Sequence, residues 1–302
     1  MYSAAILGTS KIANIHLREL LRKKIKKIFI VSRKRENANL IIKKNYKKNS
    51  KLVYCSIKDL KKKKVNLISI CTNTESHFKI LKYLKYKKAY ILVEKPIFSI
   101  DENSQYELKN KLKQVYKFHD KLIVMYPMLY FGRILRNRFF HEKKIKNVCF
   151  KYYTNGKNTY SKIAEDLLPH AFSFFYSICN IFYHKHKFQD FLIKKIINKK
   201  FNWRCSLILN KVNFSIIFKE NSNLKKSYLE VLLNNKKIIR KTKQIENKFV
   251  NSILYKKKEF IIKNPMEVQF DSILKNLNNI QFFNYNKLLT EYILNISTNL
   301  IK

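Results

Sequence analysis

Glycine, proline and acidic residues are scarce in this sequence. Its 302 residues include 3 glycines and 4 prolines, and 20 Asp+Glu stand against 64 Lys+Arg. No stretch is rich in Pro, Gly or Ser, so the sequence marks no flexible linker between domains. Because 46% of the residues are hydrophobic and 14% are aromatic, the chain can bury a core, which argues against wholesale disorder.

Long hydrophobic runs and a targeting leader are also missing. No run approaches the roughly 18 apolar residues of a transmembrane helix. The N-terminus, "MYSAAILGTS", enters an apolar run almost at once, with no basic leader and no cleavage site of small residues. These features predict a soluble, cytoplasmic protein with no membrane partner.

The cysteines form no pattern that binds a metal. None belongs to a CxxC pair or neighbours a histidine at metal-ligand spacing. We therefore predict no metal site, and we interpret the cysteines as small buried residues in a reducing compartment. They are Cys55, Cys71, Cys149, Cys179 and Cys205.

The charge is the unusual feature. The basic residues give a formal net charge of +44 and a pI near 10.0, which brings a nucleic acid or an anionic surface into consideration as a partner. The lysines are spread along the sequence, however, and the abundant Lys, Asn, Ile, Phe and Tyr share A/T-rich codons. Our hypothesis is that mutational bias on a solvated surface explains much of the charge.

The first third of the chain alternates short apolar runs with helix-period segments. Such strands, nearly continuous in apolar residues, predict a parallel sheet covered on both faces. From about residue 120, strands with two-residue alternation predict an α+β domain on a largely antiparallel sheet, interrupted by a helix near 163–180 and closed by two helices. We predict an α/β chain with a doubly wound domain over 1–119 and an α+β domain over 120–302. The predicted strands of the first domain are "SAAILG", "KIFIVSR", "LVYCS", "VNLISICT" and "AYILVEKP", and "KLIVMYP" closes the series.

The stretch "ILGTSKIA" follows the first strand and opens the first helix. A dinucleotide fold needs a tight turn here, so that backbone N–H groups at the helix start face a pyrophosphate. Gly8 fits the first glycine of that fingerprint and Ala13 its third position, whereas Ser10 replaces the second glycine. Ser10 either crowds the phosphates or donates a hydrogen bond to them. The predicted cofactor-binding residues of this turn are Gly8, Thr9, Ser10, Lys11 and Ile12.

The end of the second strand, "VSRKRE", bears on the choice between NAD and NADP. An acidic residue at this point hydrogen-bonds the adenosine ribose hydroxyls of NAD. Here Ser32, Arg33 and Lys34 suit a 2′-phosphate instead. We predict that NADP(H) is the preferred cofactor and that NAD(H) is the alternative.

The fourth predicted strand ends in "CTNTESHF". Thr72 and Asn73 lie at the carboxyl edge of the predicted sheet, where ligands bind in open α/β folds. His77 falls in the first turn of the next helix, where a lone histidine is more often structural than functional. We include all three residues in the predicted cofactor site.

The fifth predicted strand ends in "ILVEKPIF". Glu94 and Lys95 follow a buried apolar run, and Pro96 fixes its own backbone and favours an extended conformation at Lys95. The end of this strand lies on the same edge of the sheet as the other predicted site residues. We therefore expect Lys95 to face the cofactor crevice; a surface Glu-Lys pair before a turn is the alternative.

A further candidate pair lies in "AEDLLPHAFSFFYSI". Asp166 and His170 are four positions apart, so on a helix they share one face. A carboxylate can orient an imidazole, and an imidazole can move a proton near its working pH. A capping aspartate and a satisfied core histidine are the alternative interpretation.

Taken in this order, these stretches resemble the glucose–fructose oxidoreductase/inositol dehydrogenase (Gfo/Idh/MocA) family over nearly the whole chain. "GTSKIANIH" is similar to the family's GxGxIAxxH opening, with His16 at its histidine, and "VSRKRENA" to its SR-type strand end. "CTNTESH" resembles the TPxxxH segment of the family. "VEKPIF" matches the EKP signature and "DLLPHA" the DxxxH element, and these two together are the more specific combination.

The resemblance implies an N-terminal Rossmann domain and a C-terminal α+β domain whose open sheet forms a homodimer or homotetramer interface. It also implies a cis bond before Pro96 and an NAD(P)-dependent oxidoreductase that interconverts a carbon-bound hydroxyl and a carbonyl. The implied substrate is a small molecule such as a sugar, a cyclitol or a sugar nucleotide. Lys95 would contact the nicotinamide and the reacting hydroxyl, His170 would act as acid or base, and Asp166 would bind or orient the substrate.

Two other functions stay open at this point. The altered "GTSKIA" loop leaves room for a protein of this fold that binds NADP(H) without catalysis, as a sensor or an assembly subunit. The charge leaves room for a basic protein that binds nucleic acid or an anionic surface, although we favour this less. The second alternative predicts lysines clustered on one face.

Overall fold

The structure is a computed structural model that forms two compact units. One unit consists of Met1–Met125 with Ile273–Glu291, and the other of Tyr126–Ser272 with Tyr292–Lys302. The first unit thus continues past residue 119, because the strand that follows that position joins its sheet. The described residues are 3–23, 25–45, 51–85, 88–100, 103–140, 144–179, 191–224, 227–245 and 248–301.

The first unit is built on a parallel sheet with the strand order β3-β2-β1-β4-β5-β6. Consecutive residues of its central strands are buried, so both faces of the sheet are covered, as the apolar runs predicted. The order reverses between β1 and β4, which is where ligands bind in sheets of this kind. The strands are β1 (Ser3–Leu7), β2 (Lys27–Val31), β3 (Lys51–Cys55), β4 (Leu67–Ile70), β5 (Tyr90–Val93) and β6 (Leu122–Val124).

Helices connect the strands of this sheet. The predicted Rossmann fold is confirmed, with one short additional helix, α3, that the sequence analysis did not predict. The helices are α1 (Lys11–Arg22), α2 (Arg35–Asn45), α3 (Ile57–Lys62), α4 (Thr74–Tyr83) and α5 (Gln105–Phe118).

The edge strand β6 is covered from a distant part of the chain. The Asn286 Oδ1 accepts a hydrogen bond from the Val124 N–H at 2.8 Å, and its Nδ2 donates to the Val124 carbonyl at 3.0 Å. One side chain thus satisfies a backbone donor and acceptor that an edge strand would leave unpaired. Asn286 belongs to α9 (Ile280–Ile301), which follows α8 (Pro265–Lys275) at the end of the chain.

The second unit contains a sheet with the strand order β14-β13-β12-β11-β7-β10-β9-β8. Its strand pairs are antiparallel except β7 with β10, which confirms the predicted, largely antiparallel sheet. The strands are β7 (Asn147–Thr154), β8 (Phe191–Lys199), β9 (Asn202–Leu209), β10 (Val212–Glu220), β11 (Tyr228–Leu233), β12 (Lys236–Ile245), β13 (Lys248–Tyr255) and β14 (Lys258–Ile262).

The two faces of this second sheet differ. On the inner face, Phe150 packs against Phe174 of α7 (Ser161–Ile178) with ring centroids 5.4 Å apart. Phe174 also contacts Phe131 of α6 (Pro127–Phe139) at 5.8 Å. The helix α6 was not predicted from the sequence. Along β9 and β10, the outer face carries half-buried and exposed residues that alternate with the buried ones.

In the part of the chain that the structure describes, no helix combines the length and the apolar character needed to cross a membrane.

Candidate functional site

The turn after β1 depends on a glycine. Gly8 has φ +110°, and its N–H donates to the Val31 carbonyl at 3.0 Å. A Cβ at Gly8 would lie 2.7 Å from the Cys71 carbonyl oxygen, closer than two such atoms can approach. Both the conformation and the space therefore require glycine at the point where the predicted phosphate-binding turn begins.

Ser10, the departure from the glycine fingerprint, is the N-cap of α1. Its Oγ accepts from the Ala13 N–H at 3.4 Å and donates to the Cys71 carbonyl at 3.2 Å. The hydroxyl therefore stabilises the turn. Helix geometry gives the N–H groups of Lys11 and Ile12 no carbonyl within α1, so this helix start can bind an anion through its backbone.

The cations predicted to select NADP follow β2, which pairs with β1 in parallel. Ser32 is half-buried, and its Oγ accepts from the Lys34 N–H at 3.3 Å. The side chains of Arg33 and Lys34 are exposed. Two positive charges thus stand at the carboxyl end of the strand next to the Gly8 turn.

His77 links the ends of β4 and β5. The ring is 1% exposed, with its Nε2 3.1 Å from the Thr72 carbonyl and its Nδ1 3.1 Å from the Pro96 carbonyl. Burial lowers the pKa of His77. Its nitrogens therefore contact the protein backbone, and the ring holds the Thr72 and Lys95 segments together. The peptide bond between Lys95 and Pro96 is cis, as predicted.

A buried network that the sequence analysis did not predict lies beneath Lys95. His16 is 0% exposed; its Nε2 lies 2.7 Å from the Glu94 Oε1 and its Nδ1 hydrogen-bonds the Ser69 hydroxyl. Burial alone lowers the pKa of His16, but Cys71 and Glu94 outweigh it and raise this pKa to about 10. An imidazolium–carboxylate pair therefore fixes the residue that precedes Lys95.

In the second unit, α7 carries the predicted DxxxH pair. Asp166 and His170 are both half-buried and lie one helical turn apart on the same face. The His170 ring meets the Tyr152 ring edge-on, with centroids 5.6 Å apart and planes at 75°. Pro169 lies inside this helix rather than in its first turn.

A buried acid stands near Asp166. Glu220, at the end of β10, is 2% exposed and accepts from the Asn158 N–H at 2.7 Å and from the Asn158 Nδ2 at 3.2 Å. Burial raises the pKa of Glu220, and the charge of Asp166 raises it further. The Glu220 carboxylate leaves no room for a Cβ at Gly156. Glu220 thus anchors the loop that leads into α7.

The predicted site residues fall into two groups. One group lines the carboxyl edge of the first sheet, and Asp166 and His170 share a face of α7 in the second unit. Sequence analysis missed Ser69, Tyr152 and Glu220, because only strand pairing brings them to these positions. Among the described residues, no group of three or more His, Cys, Asp or Glu could hold a metal ion. The first group is Gly8, Thr9, Ser10, Lys11, Ile12, Ser32, Arg33, Lys34, Thr72, Asn73, His77, Glu94 and Lys95.

Comparison with protein-family models finds a match to the part of the chain that contains the first of these groups. Residues 2–124 match the Gfo/Idh/MocA model, described as an oxidoreductase family with an NAD-binding Rossmann fold. Over these residues the chain is similar to the Gfo/Idh/MocA family. The match confirms the family that the sequence motifs indicated, and it contains the Gly8 turn, the Arg33 strand end and the EKP segment. No curated protein matches the chain.

Solved structures extend the fold comparison to the whole chain. A dehydrogenase (MviM) from Clostridium difficile is 14% identical with a TM-score of 0.68, covering 99% of this chain and 98% of its own. The WlbA dehydrogenase from Thermus thermophilus, in complex with NAD and UDP-GlcNAcA, is 14% identical with a TM-score of 0.67, covering 100% and 95%. The 3-ketoreductase KijD10 from Actinomadura kijaniata, in complex with NADP, is 10% identical with a TM-score of 0.65, covering 97% and 96%. At these identities the likeness shows the fold.

Proposed function

We propose that this protein is an NADP(H)-preferring oxidoreductase of the Gfo/Idh/MocA family, acting on a carbon-bound hydroxyl or carbonyl. The observation that carries the proposal is the edge of the first sheet, where a turn that accepts only glycine, an open helix start and Lys95 occur together. These residues fit a dinucleotide, because Gly8 lets the backbone approach a pyrophosphate and α1 offers N–H donors to it.

Each proposed catalytic group has a distinct task. The nicotinamide, when bound, supplies the hydride chemistry. Lys95 stabilises the negative charge that develops on the reacting oxygen, and His170 exchanges the hydroxyl proton. Asp166 binds or orients the substrate on the same face of α7. His16 and His77 are positioning residues, since their ring nitrogens contact Glu94, Ser69 and backbone carbonyls.

The proposed substrate is a sugar, a cyclitol or a sugar nucleotide. Structural neighbours support this class: the Thermus thermophilus dehydrogenase was solved with UDP-GlcNAcA, and KijD10 is a 3-ketoreductase. The face of α7 that carries Asp166 and His170 offers the hydrogen-bonding groups that hydroxyls require.

Replacing Arg33 and Lys34 together by glutamine should lower NADPH affinity by about 10–100-fold and leave NADH affinity nearly unchanged. The reason is that a 2′-phosphate loses two charged donors, whereas the ribose hydroxyls of NADH do not need them. Fluorescence titration with each cofactor measures the effect. The matched control, Lys43→Gln with Lys44→Gln, removes the same charge from the last turn of α2 and should change neither affinity. Equal losses for NADPH and NADH would contradict the assignment.

The same titration on the wild-type protein tests the proposed function itself. Micromolar NADPH binding with thermal stabilisation, followed by turnover in a panel of sugars, cyclitols and sugar nucleotides, is the expected result. Binding without turnover across the panel would favour a non-catalytic sensor or assembly subunit. Failure to bind either cofactor would overturn the proposal and favour a charge-driven binder.

We also propose that the outer face of the second sheet joins copies of the chain in a homodimer or homotetramer. Ile217, Ile239 and Leu254 are half-buried on this face, and Ile239 is in register with Leu254. Replacing Ile239 by glutamate should shift the molar mass measured by light scattering towards the monomer, because it places a second carboxylate beside Glu230, with which Ile239 is in register. Lys211→Gln, in the turn between β9 and β10, is the control and should leave the mass unchanged. A monomeric wild-type protein would contradict the proposal.

A further inference from the structure

The inner face of the second sheet changes character along β12. Ile238 is buried in the apolar core, and the next residue on the same face is Arg240. Arg240 is in register with Leu229 of β11, which is in register with Tyr152 of β7. On this face, the apolar side chains that lie in register across the strands are therefore followed by a set that contains the Arg240 guanidinium and the Tyr152 phenol.

The charge of Arg240 has no counter-ion in the described part of the chain. Its Nη2 donates to the Asn251 Oδ1 at 2.9 Å, and the guanidinium carbon lies 5.6 Å from the centre of the Phe131 ring. Burial lowers the pKa of Arg240, and Tyr152 only partly offsets this. Among the described residues no carboxylate contacts the guanidinium, although its Nε atom is buried and a buried charge is normally paired.

Two neighbouring donors have no acceptor within the part of the chain that the structure describes. The Arg240 Nε and the Asn251 Nδ2 are both buried, and neither hydrogen-bonds a described residue. Asn251 is 2% exposed, and its Oδ1 is already shared by Arg240 and by the Thr242 hydroxyl at 3.2 Å. Buried donors without an acceptor cost stability, so their presence side by side indicates a group that is supplied from outside the chain.

We propose that Arg240 and Asn251 form a subsite for an anionic oxygen group of the substrate, a carboxylate or a phosphate. This inference rests on the proposed function, because it assigns a chemical group to that substrate. Tyr152 places the subsite near the proposed acid–base residue: its hydroxyl interacts electrostatically with Arg240, and its ring contacts His170. A planar guanidinium suits both carboxylate and phosphate, since it offers parallel N–H donors.

Two acidic residues bear on the orientation of the substrate: Asp166 lies on α7, and Glu220 lies at the end of β10. Glu220 ends β10, which lies three strands from β12 in the order β12-β11-β7-β10. Strands spaced about 4.8 Å apart put the two backbones roughly 14 Å from each other. The half-buried Asp166 can accept hydrogen bonds from hydroxyls and repels an anion, whereas Arg240 attracts an anion. The substrate would therefore present hydroxyls to α7 and its anionic group to β12.

The test compares three probes that share a hexose: glucose, glucuronate and glucose 6-phosphate. Thermal stability is measured with saturating NADPH at about 0.15 M salt, where nonspecific binding to distant surface charges is screened. We expect glucuronate or glucose 6-phosphate, but not glucose, to raise the melting temperature of the wild-type protein. Arg240→Met should abolish the shift, and Arg240→Lys, which keeps the charge but loses the planar fork, should reduce it.

A matched control separates this subsite from the basic surface. Lys241 is adjacent in sequence but lies on the opposite face of the strand, so Lys241→Gln should keep the full anion effect. If neither anion stabilises the wild-type protein more than glucose does, or if Arg240→Met keeps the effect, the subsite is wrong. The comparison of glucuronate with glucose 6-phosphate shows whether the subsite binds a carboxylate or a phosphate. NADPH binding in the same samples tests the proposed function separately.

Stability without any probe gives a second readout. A buried charge that is retained for ligand binding destabilises the ligand-free protein. Arg240→Met should therefore raise the melting temperature of the ligand-free protein by about 2 °C or more. If Arg240 served only to support the fold through Asn251 and Phe131, the same variant would melt at a lower temperature, and the proposal would be overturned.

Discussion

Replacing Lys95 by alanine should lower turnover by a factor of about 10²–10³ and leave NADPH affinity largely unchanged. Lys95 follows β5 and Glu94 at the carboxyl edge of the sheet, where a cation can stabilise charge on the reacting oxygen. That interaction is stronger in the transition state than in the ground state, so its loss reduces kcat more than binding. Steady-state kinetics with a substrate from the panel and a separate NADPH titration measure the two quantities.

The control for this variant is another lysine of the same sheet. Lys27 begins β2 at the opposite edge and lies over the Phe29 ring at 5.0 Å, so Lys27→Ala should keep full turnover. His170→Ala should resemble Lys95→Ala, with a loss of about 10²–10⁴-fold from the missing proton transfer. Wild-type turnover in both the Lys95 and the His170 variant would contradict their assignment.

Replacing His16 by alanine should lower the free energy of unfolding at pH 7 by about 3–5 kcal/mol, because it leaves the Glu94 carboxylate buried without its partner. The pair joins α1 to the end of β5 through a 2.7 Å contact between Nε2 and Oε1. His16→Ala should therefore also reduce turnover, since the segment that carries Lys95 loses its support. Urea denaturation followed by circular dichroism measures the stability change.

The pH dependence of stability identifies the pair. The pKa of His16 is raised from 6.5 to about 10 in the folded protein, so the folded state holds a proton that the unfolded state releases between these values. This contribution is complete below pH 6.5 and is lost as pH rises through about 10. Within that range, the free energy of unfolding should fall by up to about 1.36 kcal/mol per pH unit, which is the value for one proton.

A matched histidine variant isolates this slope. His119 is also buried, but burial lowers its pKa, so His119→Gln should keep the decline of stability between neutral and alkaline pH. His16→Gln should flatten it. A His16→Gln protein that declines as steeply as the wild type would show that His16 carries no proton in that range.

Local patterns in the sequence were sufficient for the sheet of the first unit, although not for its short helix α3. Apolar runs alternating with helix-period segments predicted the parallel sheet, and the Gly8 turn and "VEKP" both fall at its carboxyl edge. Such predictions succeed because strand burial on both faces and a positive φ at a glycine leave local marks in the sequence. Ser10 was ambiguous from the sequence, and its hydrogen bonds to Ala13 and Cys71 give it a capping role.

Other features of the structure could not be predicted from the neighbouring sequence. The helix α6 was missed because the residues along its first half, Met128 to Gly132, are buried on all sides, so the helical period is hidden. Arg240 and Glu220 resemble surface charges in a lysine-rich chain, and only the pairing of β12 with β11 and of β10 with β7 buries them. The partner of His16 lies 78 positions away in the sequence.

The sequence by itself determined the strands of the parallel sheet, the Gly8 turn and the face of α7 that carries Asp166 and His170, because each depends on residues close together in the chain. Tertiary structure alone decided which charges are buried and what they contact. The pKa of His16, the position of Glu220 and the burial of the Arg240 and Asn251 donors all arise from strands and helices distant in sequence, where burial makes a polar or charged group depend on its partners.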